Sequence, residues 1–98
     1  MSQKIAVVCQ NRKRTVDIIT ELVKEFNSPV NHVTRSIGTI RIGFLDGSEI
    51  IWVNRVDKAC GRLFTRAIID ITDCRDDFYE IVDEVQYRVR PEYGGSKV

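Results

Sequence analysis

Three groups of side chains in this chain have the types and spacing to do chemistry. The first is basic: Arg12, Lys13 and Arg14 in the run QNRKR (10–14), with Arg55, Lys58 and Arg62 in the run RVDKACGRLFTR (55–66). Guanidinium and ammonium groups gathered in one place bind anions, and the Arg fork matches two oxygens of a phosphate at once. The second group is acidic: Asp70, Asp73, Asp76 and Asp77. Carboxylates at the end of a buried strand can hold Mg2+, with water and phosphate oxygens completing its shell. Asp70 and Asp73 are three apart, so a continuing strand would point them to opposite faces. Asp73 or Asp76 also suits the N-cap of a following helix, where Asp is among the commonest residues. The third group is Cys60 and Cys74 with His32, the single histidine and so the single imidazole base for a thiol nucleophile. Neither a GxxxxGK[ST] loop nor a GxGxxG loop occurs, so neither standard backbone cradle for phosphates is present.

Composition sets the bounds within which these groups work. The chain has 98 residues, 43% of them hydrophobic, with 15 Lys and Arg against 14 Asp and Glu. That length predicts one small domain over residues 1–91, followed by a flexible tail over 92–98. A net charge of +1 excludes a uniformly basic nucleic-acid coat. The charge is nevertheless divided: residues 1–66 hold 11 Lys and Arg against 6 Asp and Glu, and residues 67–98 hold 4 against 8. No apolar stretch approaches the roughly 18–20 residues of a membrane span, and MSQKIAVVCQ lacks the apolar region of a signal peptide. Cys9, Cys60 and Cys74 are odd in number and form no CxxC pair, which points to free thiols packed as small hydrophobes. The expectation is an intracellular, cytoplasmic domain with no membrane partner.

The elements that must position these groups follow from periodicity. Lys4 to Cys9 (KIAVVC) is a continuous apolar run and reads as a buried strand. Val16, Ile19, Leu22, Val23 and Phe26 then fall on one helical face, with Asn11 or Thr15 as cap and Pro29 beyond the end. Three cations at the start of that helix oppose its dipole by about 0.3–1 kcal/mol each, a local cost that an anion-binding role would explain. Ile37 to Asn54 reads as a hairpin, because Asp46-Gly47 between two β-rich runs signals a two-residue turn. Such a turn pairs Leu45 with Ser48, Ile42 with Ile51 and Arg41 with Trp52. One face then carries Ile40, Ile42, Phe44, Ile51 and Val53. The other carries Arg41, Ile50 and Trp52, either beneath a second layer or as an interface patch. Ala67 to Thr72 (AIIDIT) reads as another buried strand. Asp73 to Arg90 reads as a second amphipathic helix, with Phe78, Ile81, Val82, Val85 and Val89 on its apolar stripe. The predicted class is α/β: a mixed four-stranded sheet with two helices in the order β-α-β-β-β-α, the first and last strands parallel and central.

LDGSEI (45–50), ACGRLF (59–64) and AIIDITDC (67–74), preceded by KIAVVCQNRKRTVDIITELVKEF (4–26), together resemble the ATPase domain of phage terminase large subunits, the motors that package viral DNA. The resemblance spans most of residues 4–78. It implies part of a P-loop NTPase core, in which 45–50 is the hairpin, 59–64 the glycine-arginine segment and 67–74 the Walker B strand. The Walker A loop has no counterpart, and the Walker B acidic pair falls on Thr72 and Asp73, leaving one carboxylate. Phosphoryl transfer by such motors needs the cradle, its lysine and the metal ligands together. The resemblance therefore implies a catalytically silent relative encoded by a phage or other mobile element.

The leading expectation is a non-enzymatic binding module without a cofactor. It would contact nucleic acid or an acidic protein surface through Arg12, Lys13, Arg14, Arg55, Lys58 and Arg62, with Arg41, Ile50 and Trp52 as an interface patch. Two alternatives stand beside it: a Mg2+-dependent phosphoryl-transfer enzyme or nuclease using Asp70 and Asp73, and a homo-oligomeric structural or inhibitory protein.

Overall fold

A computed structural model describes residues 2–70 and 77–90. The elements run β1 (Lys4–Val8), α1 (Arg12–Lys24), β2 (Val30–Ser36), β3 (Thr39–Phe44), β4 (Glu49–Val53), α2 (Val56–Ala59), β5 (Arg66–Ile69) and α3 (Phe78–Tyr87). They form an α/β domain around one five-stranded mixed sheet in the order β2-β3-β4-β1-β5. β1 lies parallel to both β4 and β5, while β2–β3 and β3–β4 are antiparallel. The sheet thus has one strand more than the expected four, and a short third helix follows β4. β1 is central as its unbroken apolar sequence requires, but β5 is an edge strand and only partly buried.

The additional strand, β2, is the opposite edge, and all seven of its residues are exposed. A bulge between Val30 and His32 interrupts its pairing with β3, so its apolar residues fall out of simple alternation. His32 packs directly over Gly43: a Cβ at residue 43 would stand 2.3 Å from His32 Cε1. Glycine inside β3 is therefore set by the close approach of that ring.

The hairpin turns over three residues rather than two. The Phe44 N–H donates to the Ser48 carbonyl at 2.9 Å, the Gly47 N–H donates to the Phe44 carbonyl at 3.0 Å, and Gly47 takes φ 91°. Asp46 Oδ1 accepts from the Ser48 N–H at 2.9 Å and closes the turn from within. Arg41 consequently faces Ile51, and Ile42 faces Ile50. A one-residue change of register moves every β4 side chain to the other face. Ile50 and Trp52 therefore join Ile40 and Phe44 beneath α1, while Ile51 and Val53 pack with α3.

Two cores result, one on each side of the sheet. Ile5, Val7, Ile19, Leu22, Ile50 and Trp52 lie on the α1 side; Ala6, Val8, Val53, Phe64, Phe78 and Ile81 lie on the α2–α3 side. Alternation along β1 feeds both cores at once, which is why its sequence reads as continuously apolar. α1 starts at Arg12, four residues before the first residue of its apolar stripe, Val16. Asn11 is the N-cap, its Oδ1 accepting from the Arg14 N–H at 3.1 Å. The start of the expected second helix, Asp73 to Asp76, and the tail at 92–98 lie outside the described residues.

Candidate functional site

β1 and β4 are adjacent and parallel, yet the chain leaves β1 toward α1 on one face and leaves β4 toward α2 on the other. In open α/β sheets such a reversal opens a crevice beyond the carboxyl ends of the two strands, and ligands bind there. In this chain the crevice is a cavity of about 380 Å3 lined by Gln10 after β1, Asn54 and Arg55 after β4, the β2–β3 turn at Ile37 and Gly38, and Trp52 and Asp77.

Each wall is held by a specific contact. From the α1 side, Arg12 Nη1 donates to the carbonyls of Ser36 at 2.8 Å and Ile37 at 3.1 Å. From the α2 side, Lys58 Nζ donates to the Gly38 carbonyl at 3.2 Å and the Thr39 hydroxyl at 2.8 Å. The two cations grip the same turn from opposite faces of the sheet. Beneath them the Trp52 indole N–H donates to the Cys9 carbonyl at 2.8 Å, and the Arg12 guanidinium stands 5.8 Å from the Trp52 ring. Asn54 Nδ2 donates to the Gly38 carbonyl at 3.4 Å, whereas Asn54 Oδ1 is buried and has no hydrogen-bond partner among the described residues. A buried amide oxygen without a donor costs about 1–3 kcal/mol, so the crevice favours a molecule that brings it an N–H or O–H group.

The six expected cations therefore separate into distinct roles. Arg12, Lys13, Arg55 and Lys58 belong to elements at the carboxyl ends of β1 and β4. Arg12 and Lys58 are spent partly on backbone carbonyls. Lys13 is exposed and enters no ion pair among the described residues. Arg55 makes a 3.1 Å pair with Asp57 in which both side chains are about two-thirds exposed, an arrangement worth little in water. Arg14 differs: its Nε lies 2.6 Å from Asp70 Oδ2, and that hydrogen bond with the Asp70 charge raises its pKa further. Asp70 is correspondingly engaged just beyond β5, its Oδ2 taken by Arg14. Arg62 is elsewhere, in a groove with Lys4, Arg41 and Glu49 at the starting ends of β1 and β4.

Corrections to the other expected site residues have the same physical origin. Ile50 and Trp52 are 0% and 5% exposed, because the register places them under α1, so they present no interface patch. Arg41 is on the opposite face, hydrogen-bonded through Nε and Nη2 to Glu49 Oε2. Among the described residues no three His, Cys, Asp or Glu side chains converge to hold a metal ion. Asp73, Asp76 and Cys74 lie outside the described residues. Cys9 is buried and Cys60 exposed, both as free thiols. Among the described residues no helix is long and apolar enough to cross a membrane.

Sequence reasoning missed Gln10 and Asn54, which flank the crevice as the residues just past β1 and β4. Their signal was positional: a polar amide within two residues of the end of a buried parallel strand. Comparison with known protein families, curated proteins and solved structures finds no match. The class rests on the fold alone: a small α/β domain with a mixed sheet and a crevice at its reversal point.

Proposed function

We propose that this chain is a non-catalytic binding module that receives the phosphate backbone of a nucleic acid at the carboxyl edge of its sheet. The observation that carries this reading is the crevice between β1 and β4, with Arg12 and Lys58 fixing its far wall and Arg55 at its mouth. Lys13 and Arg55 are the cations spared from structural duty and supply the ionic contacts. Arg12, held by two carbonyls and by the Trp52 ring, is preorganised, and its remaining N–H groups add directional hydrogen bonds. Gln10 and Asn54 give the site an amide at each strand end, groups suited to reading the edge of an exposed base. The terminase resemblance supports DNA as the polyanion, and with it a phage or mobile-element setting.

The test is binding of a fluorescently labelled single-stranded oligonucleotide, followed by anisotropy, for the chain and for the double variant Lys13→Glu/Arg55→Glu. Neither side chain supports the fold, so the variant keeps its thermal midpoint. Loss of two phosphate contacts weakens binding by about tenfold or more and lowers the slope of log K against log salt by about 1.4. Equal affinity and equal slope for the two proteins would remove the proposal.

A second reading, self-association, is favoured by the exposed edge at β2, where Val30 and Val33 are 43% and 57% exposed. Sedimentation that shows a monomer at high concentration would exclude it.

A further inference from the structure

Three of the cations that the carboxyl edge does not use come together elsewhere on the sheet. Lys4, Arg41 and Arg62 converge with Glu49 on a groove of about 420 Å3 on the α2–α3 side of the sheet. Three strands and one turn bring them there. Lys4 opens β1, Arg41 and Glu49 face each other diagonally across β3 and β4, and the chain after α2 turns at Gly61, φ 76°, to deliver Arg62. Among the described residues Glu49 is the single carboxylate of the groove, and its side chain is 13% exposed. Lys4 Nζ lies 3.6 Å from its Oε1, and Arg41 takes its Oε2 through Nε and Nη2. Arg62 spends only its Nε, on the Lys58 carbonyl at 3.1 Å, so among the described residues its two terminal nitrogens make no hydrogen bond.

The charge does not balance. Among the described residues three cations share one carboxylate, which leaves a surplus of two positive charges around a concave surface. Repulsion among cations so placed is relieved by an anion, and a dianion cancels the surplus where a carboxylate would leave half of it. A phosphate monoester carries about −1.5 to −2 at neutral pH, and its oxygens suit two guanidinium groups approaching from different sides. Ile51, Leu63 and Phe64 form the apolar part of the same groove, and its volume lies in the range of small-molecule sites. We infer that this groove binds a small organic phosphate monoester, its phosphate between Arg41 and Arg62 beside Lys4 and its apolar body against Leu63 and Ile51. The site is separate from the carboxyl edge, and neither depends on the other.

Phenyl phosphate is the probe, with inorganic phosphate and benzoate as the other arms, followed by amide chemical shifts of the 15N-labelled full chain. Phenyl phosphate moves the amides of Lys4, Arg41, Glu49 and residues 61–64, while benzoate binds about tenfold or more weakly because it bears one charge. Inorganic phosphate moves the same amides with lower affinity, since it lacks the apolar body. Arg62→Gln, whose fold is checked by its thermal midpoint, loses about tenfold in affinity for phenyl phosphate. Lys13→Glu/Arg55→Glu binds phenyl phosphate as the unaltered chain does, which separates this site from the nucleic-acid edge. The inference is overturned if these amides stay unmoved at phenyl phosphate concentrations on the order of 10 mM. It is equally overturned if benzoate matches phenyl phosphate, or if Arg62→Gln binds unchanged.

Discussion

Replacing Trp52 with phenylalanine is expected to destabilise the domain by about 2–4 kcal/mol, and the estimate has identifiable parts. The indole N–H donates to the Cys9 carbonyl at 2.8 Å in a buried setting. Removing that donor leaves a buried acceptor unpaired, at about 1–3 kcal/mol. The Arg12 guanidinium, 5.8 Å from the ring, loses most of a cation–π contact worth about 0.5–1 kcal/mol. The smaller ring also leaves a void beneath α1, and voids add to the loss. For a domain of this size the sum corresponds to a fall in thermal midpoint of roughly 10–20 °C. A typical reserve of about 5–15 kcal/mol still leaves the variant folded at room temperature. Trp52 is the single tryptophan, so urea unfolding of the unaltered chain can be followed by fluorescence and by far-ultraviolet circular dichroism, and the variant by dichroism alone. A loss below about 0.5 kcal/mol, the range of surface substitutions, would refute the reasoning. It would mean that Trp52 stands on the open face to which a two-residue turn assigns it.

The turn itself and the charged groove give two more tests. Gly47 takes φ 91°, so Gly47→Ala places a Cβ in the left-handed region and is expected to cost about 1–2 kcal/mol in urea unfolding. Asp46→Ala removes the acceptor for the Ser48 N–H, the bond that holds Asp46 below the usual carboxylate range. Burial pushes the Glu49 carboxyl up, but the Arg41 hydrogen bond and the charges of Lys4 and Arg41 outweigh it, and the net displacement is downward. A lowered folded value stabilises the fold above the unfolded value of about 4.3, and that stabilisation is lost as pH falls through the folded value. The thermal midpoint of the unaltered chain therefore exceeds that of Glu49→Gln at pH 7, and the difference shrinks as pH drops below about 4. A difference that does not depend on pH would contradict the assignment.

Sequence patterning captured the elements whose residues face a core. The apolar run of β1, the helical stripe from Val16 to Phe26 and the parallel partnership of β1 with β5 were all legible, because burial dictates residue type at those positions. β2 was not legible. It is exposed along its whole length and carries a bulge, so neither alternation nor an apolar run marks it. The Asp46-Gly47 signal located the hairpin but not its register. The same dipeptide serves a two-residue turn or the last two positions of a three-residue one, and the faces of Ile50 and Trp52 hang on that choice. Site residues were legible as a set of cations but not by role. Arg14 meets Asp70 across 56 residues of sequence, Arg12 reaches the β2–β3 turn, and Gly61 sends Arg62 to the starting ends of β1 and β4. Such pairings arise from chain topology, which residue spacing does not encode.

The most direct measurement is an amide chemical-shift map of the 15N-labelled chain titrated with a short single-stranded oligonucleotide at low salt. Perturbations centred on Gln10 to Lys13, Ile37, Gly38, Asn54 and Arg55, fading as salt is raised, are the predicted result. Perturbations confined to β2 or α3, or an unchanged spectrum, would contradict the carboxyl edge as the place where this protein meets a phosphate backbone.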